Sequence, residues 1–173
     1  GVRTPTRQFS SCTLIESGDT EDRIFNAVTA VGKYAAKRAG IGLNLGAIRA
    51  QGTPIRGGEA KHAGLVGITK MFQETLGWVS QGGTRKGSMT VFFPVWHKDV
   101  RQLLVLKNNR GTEDNRARHI DYAFQFNKLM YERLIKNENI ALFSPDVANG
   151  KLYEYFFSDQ DKFEELYVEL EKT

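Results

Sequence analysis

The chain has 173 residues, enough for one domain with a sizeable core, and its 40% hydrophobic and 25% charged residues are those of an ordinary globular domain. Lys and Arg number 24 against 20 Asp and Glu, and the net charge of +4 suits nucleotide phosphates, a nucleic-acid face or a mixed solvated surface alike. The single cysteine, Cys12, excludes an internal disulfide framework and a multi-cysteine zinc site, and fits a reducing, cytoplasmic setting. No apolar run is long enough for a membrane helix, and GVRTPTRQFSS lacks the apolar stretch of a signal peptide. His62, His97 and His119 show no metal-ligand spacing, so no metal is expected in this chain. A start at Gly1 and an end on EKT suggest a fragment, a processed piece or one product of a split gene.

Residues 11–15, bounded by Gly18 and Asp19, read as a strand. Asp19 or Thr20 then makes a helix N-cap with Glu21 and Asp22 in the first turn. Ile24, Val28, Val31 and Ala35 follow at helical spacing, and Gly40 is expected to stop the helix. GIGLNLGAI alternates Ile41, Leu43 and Leu45 with small residues, as a strand open to close approach. Residues 51–58 form a loop, and a second helix is predicted over about 59–78, with Leu65, Ile68, Phe72 and Leu76 on one face. Residues 80–88 are a second glycine-rich loop. MTVFFPVW is a continuous apolar run, expected of a strand buried on both faces. Val100, Leu103 and Leu104 suggest a short helix, and Ile120, Phe124, Asn127, Tyr131 and Leu134 a longer one. Residues 140–144 read as a fourth strand ended by Pro145, and Phe163, Leu166, Tyr167 and Leu170 mark a last helix. Strand alternates with helix throughout, which implies an α/β fold of parallel strands with crossover helices. Residues 1–173 are expected to form a single partial domain: a small sheet, or part of a barrel.

Cys12 is either a small buried hydrophobe or a reactive thiol, and Arg3 and Arg7 nearby in sequence would favour its thiolate. Arg49 and Arg56 flank a glycine-containing turn, where guanidinium forks and backbone amides suit a phosphate; a surface loop with two solvated arginines is the other reading. Asp19 and Thr20 either hold a base or sugar hydroxyl or only cap the helix. SQGGTRKGSMT lacks the spacing of a P-loop, and GIGLNLG is not a dinucleotide fingerprint. The charged, aromatic run NRARHIDYAFQFNKLMYERL keeps helical apolar spacing, which favours a packing helix over an RNA-binding one.

Taken in order, TPTRQFSSC, RAGIGLNLGAIRAQGTPIRGGE, SQGGTRKGSMT, FFPVWH, LLVLKNNRG, NRARHIDY and LFSP resemble the large (alpha) chain of class I ribonucleotide reductases, and they cover nearly the whole chain. The resemblance implies a ten-stranded α/β barrel made of two antiparallel five-strand halves, of which this chain supplies about the first. It implies reduction of ribonucleoside diphosphates to deoxyribonucleotides by radical chemistry, for DNA replication. A thiyl radical abstracts the 3′ hydrogen, and a pair of thiols then reduces the 2′ carbon and becomes a disulfide. On this resemblance Cys12 is the first thiol of that pair, with Ser11, Gly40, Gln81 and Arg85 as substrate contacts. Asp19, Thr20 and Glu21, with Arg49 and Arg56 as phosphate ligands, form the allosteric specificity site for a deoxynucleoside triphosphate effector (dTTP, dATP, dGTP) or ATP. Residues 80–88 carry effector identity to the substrate pocket.

The implied partners are the remaining part of the large chain, a second copy bound through helices 20–38 and 59–78, a radical-generating small subunit with its metal, and thioredoxin or glutaredoxin for re-reduction. No nucleic acid and no membrane is implied. Lys86 and Ser88 depart from the small residues usual in bacterial members, and Lys61 from the aromatic residue usual before His62. The radical cysteine and the partner thiol lie downstream in the family and are absent here. The alternative to a catalytic part is a nucleotide-binding or assembly fragment with no turnover of its own. A half-barrel exposes an edge and an apolar inner face, so a tight partner or self-association is expected.

Overall fold

The computed structural model describes residues 10–79 and 87–173. Strand β1 (Cys12–Glu16) leads into helix α1 (Glu21–Ala36) and strand β2 (Gly40–Asn44). A small hairpin, β3 (Pro54–Ile55) and β4 (Ala60–Lys61), precedes helix α2 (Leu65–Trp78). Strand β5 (Met89–Pro94), the one-turn helix α3 (Val100–Leu103) and strand β6 (Asp121–Gln125) follow, and α4 (Lys128–Ile135), α5 (Lys151–Ser158) and α6 (Gln160–Leu170) close the chain. The main sheet runs β1-β2-β5-β6 with every neighbouring pair parallel, as the alternation of strand and helix predicts, and fits the partial α/β barrel that the resemblance implies.

Register decides what each face does. Ile15, Leu43, Val91 and Tyr122 stand in one row, and this face packs against Ala27, Val31 and Ala35 of α1 and Leu65, Phe72 and Leu76 of α2. Leu14, Gly42, Thr90 and Asp121 stand in a row on the other face. There Leu14 is 86% exposed, and Thr90 and Phe92 are only half-buried. A second core, Trp96, Met130, Leu152, Phe156, Phe163 and Tyr167, joins α4, α5 and α6 beyond the sheet's carboxyl end.

Several elements differ from the sequence reading. The second helix begins at Leu65, not near residue 59, because Gly57, Gly58 and Gly64 take φ of 67°, 97° and 92°, which no helix accommodates. Gly40 does not stop α1; the helix ends at Ala36, Arg38 turns the chain at φ 64°, and Gly40 opens β2. The expected helix over 120–134 divides into β6 and α4, with the Asn127 side chain accepting from Met130 N–H as N-cap. Its apolar spacing satisfied a helix, but pairing with β5 took its aromatic first half into the sheet. Residues 140–144 make only an isolated bridge, Phe143 with His97. Strand β5 is buried on alternate residues at its start, rather than on both faces. Helix α5 was not foreseen; Asp159, which caps α6, separates the two.

Two glycines behave oppositely when filled. A Cβ at Gly46 would stand 2.5 Å from Cδ of Pro94, a ring that cannot rotate away, whereas one at Gly32 inside α1 meets Thr75 Cγ2 at an ordinary 3.7 Å. Gly46→Ala is expected to cost about 1–3 kcal/mol and Gly32→Ala to stabilise by up to about 1 kcal/mol, both read from denaturant unfolding. Equal effects of the two would contradict the packing described.

Candidate functional site

The amino ends of the strands gather one group of predicted residues. Gly40 N–H donates to Ser11 C=O at 2.8 Å and Ile41 N–H to Ser88 C=O at 3.1 Å. These bonds draw Ser11, Cys12, Gly40 and Ser88 together. Cys12 is a free, exposed thiol with its Sγ 3.8 Å from the Ser11 hydroxyl. A Cβ at Gly40 would meet Ser88 Oγ, Ser11 C=O and Cys12 Sγ at 3.6–3.8 Å. Gly40 is therefore closely surrounded by Ser11, Cys12 and Ser88, with room for a methyl group and no more. Gln81 and Arg85, the other predicted substrate contacts, and Lys86 lie outside the described residues.

The carboxyl end of β1 leads to a different constellation. Asp19 accepts from Arg49 N–H through Oδ1 and from Arg49 Nε through Oδ2, both at 2.8 Å. Arg49 Nη1 also donates to Pro54 C=O at 3.3 Å. Beside this pair lies a cleft of about 440 Å³ lined by Asp19, Glu21, Arg49, Arg56 and His62, with an apolar wall that includes Phe25, Ile55 and Met71. Arg56 is exposed and takes φ 53°; its C=O accepts from Glu59 N–H, while its guanidinium has no partner among the described residues. Thr20 is not part of this lining: its Oγ1 accepts from Arg23 N–H at 3.3 Å and caps α1. A larger cavity of about 1100 Å³ lies across the Asp19–Arg49 pair, but its lining mixes Glu16 and Asp146 with Arg23 and favours neither sign of charge. The smaller cleft also holds two carboxylates, Asp19 and Glu21, but with Asp19 paired to Arg49 it keeps the Arg56 guanidinium, an imidazole and an apolar wall, which suit an anion carrying a ring.

What holds the cleft is a set of long-range bonds to the segment after β2. Ile48 C=O meets His97 Nε2 at 2.9 Å, Ala50 N–H donates to Ser144 Oγ at 2.9 Å, and Gln51 N–H donates to Asp99 at 3.0 Å. Asp99 is only 4% exposed and also accepts from Leu65 N–H at 3.1 Å, the first residue of α2. His97 Nδ1 accepts from Asp99 N–H, so Nε2 carries the proton that Ile48 receives, and burial lowers the pKa of the ring below its usual 6.5.

Comparison with known proteins decides the family. The chain matches the family model described as "Ribonucleotide reductase, barrel domain" over residues 10–173. It belongs to the ribonucleotide reductase barrel family. It is 60% identical over 172 residues to the ribonucleoside-diphosphate reductase subunit alpha of Haemophilus influenzae, covering 99% of this chain and 23% of the relative. It is 59% identical to ribonucleoside-diphosphate reductase 1 subunit alpha of Escherichia coli (99% and 22%) and 52% identical to subunit alpha of Enterobacteria phage T4 (99% and 23%). The chain thus spans less than a quarter of these curated relatives.

Within this reductase barrel piece, Ser11, Cys12 and Gly40 come together at one end of the sheet, and Asp19, Glu21, Arg49 and Arg56 at the other. The sequence reading assigned no role to His62, His97, Asp99 or Ser144. His97 and Ser144 lay within quoted runs, FFPVWH and LFSP, and a polar residue closing an apolar run was the available signal. Among the described residues no helix is long and apolar enough to cross a membrane, and no group of acidic, histidine or cysteine side chains could hold a metal.

Asp99→Ala leaves two backbone N–H groups without their acceptor, and should destabilise the chain by about 2–4 kcal/mol, with Asp99→Asn losing less. The unfolded His97 ring takes up its proton near 6.5 and the folded ring only at lower pH. Stability is therefore expected to fall as pH drops below about 6.5, through the lowered folded value, and to be unaffected by this ring above it. His62, also lowered by burial, adds with the same sign. His97→Gln should flatten the decline in melting temperature on acidification; an unchanged decline would exclude His97 as its source.

Proposed function

We propose that this chain is the part of a ribonucleoside-diphosphate reductase large chain that carries one redox-active thiol, Cys12, and the allosteric specificity site. The observation that carries this reading is the cleft in which Asp19, Arg49 and Arg56 meet beside an apolar wall, at the other end of β1 from an exposed Cys12. In the cleft, Arg56 and the free side of Arg49 face the phosphates of a deoxynucleoside triphosphate or ATP, and Asp19 and Glu21 face its sugar hydroxyl and base. Thr20 acts through its cap, fixing where α1 begins.

At the thiol end, Ser11 and the backbone at Gly40 hold a ribonucleoside diphosphate against Cys12, with Gln81 and Arg85 contributing from the second loop. Cys12 and a thiol supplied by the rest of the large chain lose two electrons and form a disulfide. The ribose 2′ carbon gains those electrons, and the 2′ hydroxyl leaves as water. A radical generated by a metal-containing small subunit initiates the step, and thioredoxin or glutaredoxin returns the disulfide to thiols. The whole acts in the cytoplasm.

In this reading a second copy binds through α1 and α2, and exposed apolar surface on both helices supports that part of it. Phe25 on α1 is 54% exposed and Trp78 at the end of α2 is 85% exposed, apolar surface that a partner would cover. The 14 residues of α2 span about 21 Å, so the cleft at its head and Trp78 at its foot are well separated within one chain. An antiparallel pair of helices from two copies would set the cleft of one beside the foot of α2 of the other.

Isothermal titration of the chain with dTTP and dATP is expected to give saturable heat, weakened at least tenfold by Arg49→Ala; no heat with any triphosphate would overturn the specificity site. The chain alone is expected to produce no deoxynucleotide, because its one thiol cannot form an internal disulfide. Turnover without a complementing chain would refute that division of labour.

A further inference from the structure

His62 lines the same cleft as Arg49 and Arg56, yet its ring is held from behind. Nδ1 accepts from Gly64 N–H at 3.1 Å, immediately before α2, and the backbone on either side is fixed: His62 N–H donates to Thr53 C=O and Gly52 N–H to His62 C=O, both at 2.9 Å. A backbone amide can only donate, so the ring nitrogen it meets is unprotonated and the imidazole proton sits on Nε2. Among the described residues Nε2–H has no protein partner. Burial lowers the ring's pKa, with Arg49 acting in the same direction against Asp19, so the neutral form with its proton on Nε2 prevails at neutral pH. A half-buried donor fixed in tautomer and position, beside two guanidinium groups in an anion-sized cleft, has the properties of a ligand contact.

We infer that neutral His62 donates its Nε2–H to the phosphate portion of the nucleotide held in this cleft, as a third donor beside Arg49 and Arg56. The inference rests on the triphosphate reading of the cleft and deepens it. His62 also links ligand to fold, because the ring that touches the phosphate is the ring that receives the amide at the head of α2. Binding therefore tightens the start of α2 through one side chain.

Two substitutions separate the two nitrogens. Asparagine places an acceptor where Nδ1 stands but does not reach as far as Nε2, whereas glutamine reaches the Nε2 position with a donor and abandons Gly64. Titration of the chain with dTTP and with thymidine is the readout, alongside melting temperature. His62→Asn is expected to bind dTTP about 10–100-fold more weakly, with near-normal melting and no change towards thymidine. His62→Gln is expected to keep dTTP affinity within about threefold of the unsubstituted chain while melting earlier. Unaltered dTTP binding by His62→Asn, or equal weakening by both variants, would overturn the phosphate contact and leave His62 a structural residue. Absence of dTTP binding by the unsubstituted chain would overturn the triphosphate reading itself and this inference with it.

Discussion

From Ile48 to Gln51 four consecutive residues each have a backbone polar group taken up by a side chain: His97, Asp19, Ser144 and Asp99 in turn. The donors and acceptors come from three stretches far apart in sequence, the end of β1, the turn after β5 and the segment after α4. A loop crossing the carboxyl ends of a parallel sheet has no ladder of its own to satisfy it, and each buried amide left unpaired would cost about 1–3 kcal/mol. The clamp removes that cost and in doing so fixes Arg49. With Arg49 N–H and Nε both on Asp19, the guanidinium cannot swing freely, and the cleft it lines has a defined shape. Asp99 extends the same constraint to Leu65, so the geometry of the loop and the start of α2 are settled together.

This economy explains which parts were legible in the sequence. Local signals carried the elements they could: Thr20 and the acidic first turn for α1, the alternation of Ile41 and Leu43 for β2, the spacing of Phe163 and Tyr167 for α6. The ordered motifs carried the family, which the comparisons bear out. What local pattern could not supply was any relation between positions 49 and 19, 50 and 144, or 51 and 99, because nothing in a window of a dozen residues reports them. The same limit merged 120–134 into one helix. Ile120, Phe124, Asn127 and Tyr131 fit a helical face, but the choice between helix and strand belonged to β5, which needed a neighbour. Gly57 and Gly58 were visible as loop formers, whereas Gly64 fell inside the predicted helix, and the β3–β4 hairpin followed from backbone bonds between 52–53 and 62.

The two ends of the sheet have different chemical characters for a topological reason. In parallel strands all amino ends lie together and all carboxyl ends lie together, so Cys12, Gly40 and Ser88 meet at one end and the connections to α1 and α2 start from the other. Helix α2 starts from that second end and spans about 21 Å; its head is held by Asp99, and Gly64 just before it by His62, so the loop cluster and one rigid element are fixed together.

The inner face of the sheet has a character of its own. Leu14 stands almost fully exposed on the edge strand, beside Gly42, where a Cβ would collide with Leu14 Cδ2 at 2.7 Å and approach Phe92 Cε2 at 3.3 Å. Glycine lets Leu14 and Phe92 lean towards each other across β2, forming a shallow apolar floor rather than a packed layer. Among the described residues the opposite face is filled by α1 and α2 and this floor is left open, so whatever covers it stabilises the sheet by roughly 25 cal/mol per Å² buried. Because Cys12 lies on the same strand face as Leu14, whatever covers the floor also determines which groups can reach the thiol.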